Sequence, residues 1–384
     1  MTRLISRSLL FVAVAAAGCG PQGQTTTSAN PMVDPSPEFI DSPACGANGV
    51  NGNGPNSGGV AIGPMGPSSP FTPRVGGLKM AADAPPAISG GTLKVLRDGN
   101  TAVAADPDRD RVYVVDLAKR TVTATIRLNK GDEPGRVIAD AAGRVHVALR
   151  HGGALVTIDP AAGTVIGRRE VCAAPRGVAY DSASDLLHVA CADGQLVSLP
   201  AAGGDAVRRL QLDSDLRDVI VDGPRLQVTR FRSAELLSIG ADGKLADRTK
   251  LPSFSALNVR GGAFYTPSVA WRAMAMPTGG VAILHQRGLN EDVNPIAGGY
   301  GGFSPCDAIV QTAVTVVAPG QEPQSGPAMA GLVLSVDMDV SADGKKIAII
   351  STGNATNSEV EGGAPRLPRV FVTDMNSATD QVVG

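Results

Sequence analysis

The stretch EPGRVIADAAGRVHVALRHGGALVTIDPAAGTVIGRREV (133–171) is followed by APRGVAYDSASDLLHVACADGQLVSLPAAGGDAVRRLQL (174–212) and DLRDVIVDGPRLQVTRFRSAELLSIGADGKLADRTKL (215–251). These are three copies of one unit. Superposing Val137, Val178 and Val219 spaces them 41 residues apart each time. A period of about 40 to 45 residues is that of a four-stranded propeller blade.

Inside each unit the residues obey strand rules. Short β-branched, alternating runs such as 144–148 (RVHVA) and 154–158 (ALVTI) are cut by turn clusters such as DAAGR, DPAAGT and ADGK. A lone four-stranded sheet cannot cover two apolar faces, so successive units must stack around an axis, each burying the faces of its neighbours. The expected fold is all-β, a propeller of about six four-stranded blades or an incomplete seven, over 91–384.

Outward from the repeat, the neighbouring units are less regular. In the first, TAVAADPDRDRVYVVDLAKRTVTATIRL, Asp106 aligns with Asp140 at a spacing of 34, seven short of the regular one, about one strand and its turn. Residues 92–96 (TLKVL) are the candidate for the missing strand, in a ring that closes by pairing a strand from near one terminus. The fifth unit holds SVAWRAMAMPTGGVAILHQR, then a long loop over 288–307, then AIVQTAVTVV. Loops beyond about 12 to 15 residues in a compact domain are usually functional or disordered, so this loop is a candidate binding feature. A sixth unit, VDMDVSADGKKIAIIS, carries a polar insertion from about 353 to 368 before RVFVTDMNSATDQVV.

Composition narrows the function classes. With 34 basic against 36 acidic residues there is no basic field for nucleic acid. A single Trp and few aromatics weaken any sugar-stacking surface. At the N-terminus, Arg3 and Arg7 precede the apolar run Leu9 to Ala17, which is too short for a membrane span of about 20 residues and reads as a secretory signal over 1–18. The AAGC stretch ending at Cys19 resembles the lipobox of bacterial lipoproteins, although Ala16 stands where that pattern prefers Leu. The resemblance implies lipidation of Cys19, and Gly20 after it favours the outer membrane, facing the periplasm or the cell surface. The other reading is an ordinary secretory signal with a chance Cys. Residues 19–90, rich in Gly, Pro, Ser and Asn, read as a flexible linker, with an extended segment packed on the propeller near Phe71 as the alternative.

VYVVDLAKRTVTATI and VTDMNSATDQVV resemble the YVTN-type β-propellers of bacterial envelope proteins, where a strand ending in Asp or Asn meets a short turn before a T-V-x-x-I strand. The run from GDEPGRV through CAAPRGVAY to the Gly-rich loop before AVTVV is similar to propellers joined to haem c modules in deltaproteobacterial cytochrome c or di-haem peroxidase-like proteins. That resemblance implies a propeller scaffold whose haem c module lies on another chain or downstream. Haem c attachment needs C-x-x-C-H, and none of Cys19, Cys45, Cys172, Cys191 or Cys306 sits in one, so no cofactor is expected in this chain.

Several residues are candidates for a site. Cys172 closes the outer strand of one unit and Cys191 ends the second strand of the next, near Pro175. Antiparallel pairing lets the two approach, and a Cys172–Cys191 disulfide follows, with two buried free thiols as the alternative. Cys45 and Cys306 could form a second bridge. Arg136, Arg176, Arg217 and Arg272 recur near the start of the first strand in four units. In a propeller that strand lines the channel, so the four guanidiniums define either an anion-binding mouth or a set of arginines paired with groups such as Asp132 and Asp218. Tyr113, His146, His188 and Gln227 share one position in the pattern, splayed around the ring and suited to inter-blade hydrogen bonds, so no metal is expected there. His285 and Arg287 flank the long loop, with Tyr300 inside it, as a second candidate site, the alternative for His285 and Arg287 being a structural role. No G-x-S-x-G, H-E-x-x-H, Walker loop or C-x-x-C occurs. The sequence thus points to a non-catalytic binding scaffold tethered to a membrane by its lipid, with a protein or a small anion as ligand.

Overall fold

The computed structural model describes residues 44–45, 92–256, 263–291, 308–329, 332–354 and 369–375. Residues 1–18, Cys19, Tyr300, Cys306 and all of 19–90 except Ala44–Cys45 lie outside them. The described elements are β-strands, arranged as six sheets in a ring: the chain folds as a β-propeller.

Four sheets are four-stranded antiparallel meanders. Blade 1 runs Leu93–Val95, Thr101–Asp106, Arg111–Asp116, Thr121–Arg127, and blade 2 Pro134–Ala139, Val145–Leu149, Ala154–Asp159, Thr164–Glu170. Blade 3 runs Pro175–Asp181, Leu186–Cys191, Gln195–Pro200, Arg208–Gln211, and blade 4 Leu216–Asp222, Arg225–Arg230, Glu235–Ile239, Leu245–Lys250. Blade 5 has five strands, centred on Ala263–Ala275, Val281–Leu289 and Val310–Val317, with short edges Phe254–Ala256 and Gln324–Ser325; Ala263–Ala275 packs beside the first strands of blades 4 and 6 and is counted as the first strand of blade 5. Three strands of blade 6 are described, Leu332–Val340, Lys346–Asn354 and Arg369–Asp374. Ala44–Cys45, inside the span read as a flexible linker, pairs antiparallel with Ala328–Met329.

The ring exists because each sheet has two apolar faces. In blade 2, Val147 and Val156 pack with Val103, Val112 and Ile126 of blade 1. On the opposite face, Ala148 and Leu155 pack with Leu187, Val189 and Val197 of blade 3. Period-two alternation sends neighbouring residues to opposite faces, and burying one Val or Leu in this way contributes about 1.5–3 kcal/mol. Three further clusters fill the junctions of blades 3 with 4, 4 with 5, and 5 with 6. Between blades 6 and 1 the charges of Asp339 and Lys94 interact. The fourth strands of blades 1, 2 and 4 are mostly exposed, which marks them as the rim.

Blade 1 is complete, and the pairing that completes it revises the alignment of its repeat. Leu93–Val95 pairs with Thr101–Asp106 inside the same sheet and serves as its first strand. Thr101–Asp106 is therefore a second strand, equivalent to Val145–Leu149, and the match of Asp106 to Asp140 is one strand out of step. Two observations fix the new register. Arg120 and Gly163, each four residues after the Asp that ends a third strand, both take a left-handed turn conformation (φ 57° and 65°). Val112 also faces the next blade, as Leu155 does. Tyr113 thus sits on a third strand, whereas His146, His188 and Gln227 sit on second strands.

Candidate functional site

The first strands of blades 2 to 6 share an irregularity that the repeat hides. Each carries a β-bulge, at Pro134/Val137, Pro175/Gly177, Leu216/Val219, Ala270/Arg272 and Ser335/Asp337. A bulge places an extra residue on one strand, bends it and re-aims its side chains. The residues at these bulges are Arg136, Arg176, Arg217 with Asp218, Trp271 with Arg272, and Asp337. A repeated backbone defect therefore gathers charge at the axis.

The centre of the cluster is a buried ion network. Arg136 Nε donates to Asp218 Oδ1 at 2.8 Å and Arg136 Nη2 to Asp218 Oδ2 at 3.0 Å, a two-point fork. Arg136 Nη2 also reaches the carbonyl of Trp271 at 3.3 Å. Arg136 belongs to blade 2, Asp218 to blade 4 and Trp271 to blade 5, so this side chain reaches across the axis. Arg272 Nη1 lies 3.6 Å from Asp218 Oδ1, and Arg272 Nε lies 3.2 Å from Asp337 Oδ1, close enough for charge attraction but not aligned as a hydrogen bond. The Asp218 carboxylate takes a further bond from Ala273 N at 2.9 Å, while the Asp218 N–H donates to Thr229 Oγ1 at 3.0 Å. Burial alone would raise the pKa of Asp218; Arg136, Arg272 and Arg217 outweigh it and hold the carboxyl below its ordinary value. Burial lowers Arg136. At Arg272 burial acts in the same sense, but Asp337, Asp218 and Asp339 overcome it and the net shift is upward.

Around this plug, at the end of the ring where the first strands begin, stand Arg150, Arg176 and Arg217. Arg150 follows the second strand of blade 2, and its N–H donates to Glu133 O at 3.0 Å. Its Nη2 is 3.7 Å from Glu133 Oε2, whose side chain is 44% exposed, a weak and screened pair. Arg217 lies 4.9 Å over the ring of Phe231, which meets Trp271 edge to face at 5.1 Å. Burial pushes Arg217 down to about 10; Arg136 adds to this, Asp218 opposes it, and Arg176 and Arg150 push further down. Arg150 is lowered by burial, with Glu133 opposing and Arg176 and Arg136 adding. Four guanidiniums thus feel one another. Buried donors at this end, Arg136 Nη1, Arg150 Nε, Arg217 Nε and Trp271 Nε1, have no acceptor among the described residues. Of the four arginines expected at the mouth, Arg136 and Arg272 form the paired floor, while Arg176 and Arg217 stand on the wall with Arg150, which the pattern of first strands could not reveal.

The wall is held by tight packing and one covalent bond. A Cβ on Gly177 would lie 2.4 Å from Arg217 O and 2.8 Å from Asp218 Cα, so only glycine lets blades 3 and 4 approach this closely. Cys172 and Cys191 form a disulfide, with Cα atoms 6.4 Å apart. Cys191 is the pairing partner of Pro175, next to Arg176. From there a chain of backbone bonds, Ala192 N to Ala174 O at 2.9 Å and Asp215 N to Ala192 O at 2.7 Å, leads to the segment bearing Arg217.

The residues flanking the long loop are enclosed by blade 5. His285 is fully buried, with Nε2 2.8 Å from Thr315 Oγ1 and Nδ1 3.2 Å from Gln286 O. Arg287 is buried over Phe254 at 3.7 Å, with Nε on Gln311 Oε1 at 2.9 Å and Nη1 on Gly326 O at 3.2 Å. A cleft of about 370 Å³ on the outer rim, between blades 3 and 4, is lined by residues including Leu210, Leu212, Leu245 and Arg248. Among the described residues no helix is long and apolar enough to cross a membrane.

No protein-family model matches the chain, and no curated protein matches its sequence. Solved structures do. Hydrazine synthase of Kuenenia stuttgartiensis is similar at TM-score 0.57 with 15% identity, over 71% of this chain and 80% of that one. A streptogramin B lyase structure is similar at TM-score 0.50 with 10% identity, over 73% and 81%. The likeness is one of fold. At such identities it carries neither activity nor residues across.

Proposed function

We propose that this chain is an envelope β-propeller, tethered through a lipidated Cys19, that works by binding rather than by covalent chemistry and takes an anionic group in its axial cup. One observation carries the reading. Arg150, Arg176 and Arg217 repel one another at this mouth, and the carboxylates outside the floor that act on Arg150 are Glu133, at 3.7 Å, and the more remote, exposed Asp108. Like charges gathered in a part-buried place repel one another, and an incoming anion relieves that repulsion while accepting bonds from the unpartnered donors.

The protein carries its own reporter, since Trp271 is the sole tryptophan and its carbonyl is bonded to Arg136 in the floor. Titration with citrate or phosphate at constant ionic strength is expected to change Trp271 emission saturably and to raise Tm, because a ligand of the native state stabilises it. The Arg176→Gln, Arg217→Gln double variant should lose both responses. Unchanged emission and Tm up to 50-fold above the protein concentration and into the millimolar range would remove the reading.

Tethering has a separate test. Several acyl chains, at about 0.8 kcal/mol per buried CH₂, hold a protein firmly on a bilayer where one does not. Cys19→Ser should move the chain from the membrane fraction to the soluble one; equal partition of both forms would refute the anchor.

A further inference from the structure

The cup has a floor, a tightly packed wall and a charge surplus, and together these restrict what can occupy it. The floor is Arg136, 95% buried, which crosses from blade 2 to Asp218 and Trp271. The wall is tight where Gly177 meets the backbone of Arg217 with no room for a methyl group. In the floor the guanidiniums Arg136 and Arg272 face the carboxylates Asp218 and Asp337 and cancel, and Asp339, which also attracts Arg272, is offset by Lys94. On the wall, three guanidiniums face Glu133, while Asp108 is more remote, exposed and also attracted by Arg109, leaving a surplus of two positive charges.

We infer that the ligand is a compact oxyanion carrying two negative charges, a phosphate monoester or a short dicarboxylate, held between the wall arginines over the Arg136 floor. This rests on the anion-binding reading above and narrows it. A planar guanidinium engages a carboxylate or phosphate through two parallel N–H···O bonds, so three forks converging on one cup suit a ligand with several oxygens in a small volume. A monoanion leaves one cation uncompensated. A long acidic peptide spreads its carboxylates along the chain instead of presenting them together to the wall arginines.

The test is calorimetric titration of the full chain at fixed ionic strength with four probes: inorganic phosphate, succinate, acetate and a hexaglutamate peptide. Phosphate or succinate is expected to bind at least tenfold more tightly than acetate and than the peptide per molecule. Arg176→Gln and Arg217→Gln should each weaken that binding about tenfold, while Arg225→Gln, an exposed change at the opposite end of blade 4, leaves it unaltered. Acetate or the peptide binding as tightly as the dianions would overturn the inference and leave the binding reading standing. No binding of any probe would overturn both. Circular dichroism and Tm of each variant separate lost binding from lost fold, and rescue by Arg217→Lys in charge but not in fork geometry should restore part of the affinity.

Discussion

Blades 2 to 4 and blades 5 to 6 answer the same packing problem with different economies of sequence, and the cup lies between them. The first three repeat closely, their first strands bulge at the same place, and three of the four cup guanidiniums on their side, Arg136, Arg176 and Arg217, come from that repetition. Blades 5 and 6 have longer first strands, Ala263–Ala275 and Leu332–Val340, and carry the counterparts: Arg272, Asp337 and the Trp271 carbonyl. The regular side supplies a field and the irregular side tempers it. Asp218 is the one acid of the regular side within the floor, and the comparison turns on it.

Asp218→Ala should have the largest effect. It strands Arg136, and in part Arg272, in a buried place without a partner, which costs about 3–5 kcal/mol when one half of a buried pair is removed. Urea unfolding should show the unfolding free energy fall by that amount, whereas Asp213→Ala, at an exposed rim pair with Arg248, should cost about 0–1 kcal/mol. Equal losses at the two sites would mean that the axial network is no more than surface pairing.

The second effect belongs to the regular side. The Cys172–Cys191 bond closes a loop of sequence separation 19, and a loop of that size stabilises by about 3 kcal/mol through restriction of the unfolded chain. The Cys172→Ala, Cys191→Ala pair should lose about that much in the same unfolding assay. Because the bond sits beside Pro175 and Arg176, its loss should also weaken anion binding.

These features were unequally legible in the sequence. The ring, the four-stranded unit, the disulfide and the arginines at the starts of first strands all follow from repetition and strand alternation, which write themselves into residue spacing. The bulges do not, because a single extra residue in a strand leaves the 41-residue period untouched. Arg150 escaped because it follows a second strand, and the Pro134 to Leu149 pairing brings it to the cup. Asp337 escaped because the sixth unit is too altered to align. The slip in blade 1 has a simple cause: DPDRDRV and DAAGRV are both Asp-headed turns into a valine strand, and a turn motif alone does not say which turn of the meander it closes.

Packing at the axis gives a third and smaller contrast. Gly177→Ala puts a methyl against the backbone of Arg217 and Asp218, which cannot withdraw like a flexible side chain, and overpacking of this kind costs about 1–3 kcal/mol. Gly288→Ala in blade 5 meets nothing within 4 Å and should change stability by less than about 0.5 kcal/mol. Thermal melts of the two variants should separate clearly; coincidence would show that the blade 3 to blade 4 approach tolerates expansion.

The last contrast asks whether the two sides differ in how they bury charge. His188, in the regular side, and His285, in the irregular side, are both pushed down to about 4 by burial, while in His146 burial is opposed by the adjacent Asp140 carboxylate and the net shift is still downward. In the unfolded chain a histidine titrates near 6.5. The folded values are depressed, so the unfolded state binds more protons between about pH 6.5 and 4. The stabilisation is therefore fully present above 6.5 and is lost as pH falls toward 4, by up to about 1.4 kcal/mol per pH unit for each histidine. His285 Nδ1 donates to the carbonyl of Gln286, so its second nitrogen, facing Thr315 Oγ1, is the one that must accept the proton. Urea midpoints measured from pH 7.5 to 4.5 should fall with decreasing pH. His188→Gln and His285→Gln should each flatten that fall by a similar amount, and His146→Gln should flatten it less. A larger flattening by His188→Gln than by His285→Gln would mean that the regular side, and not burial as such, sets the acid sensitivity of the ring.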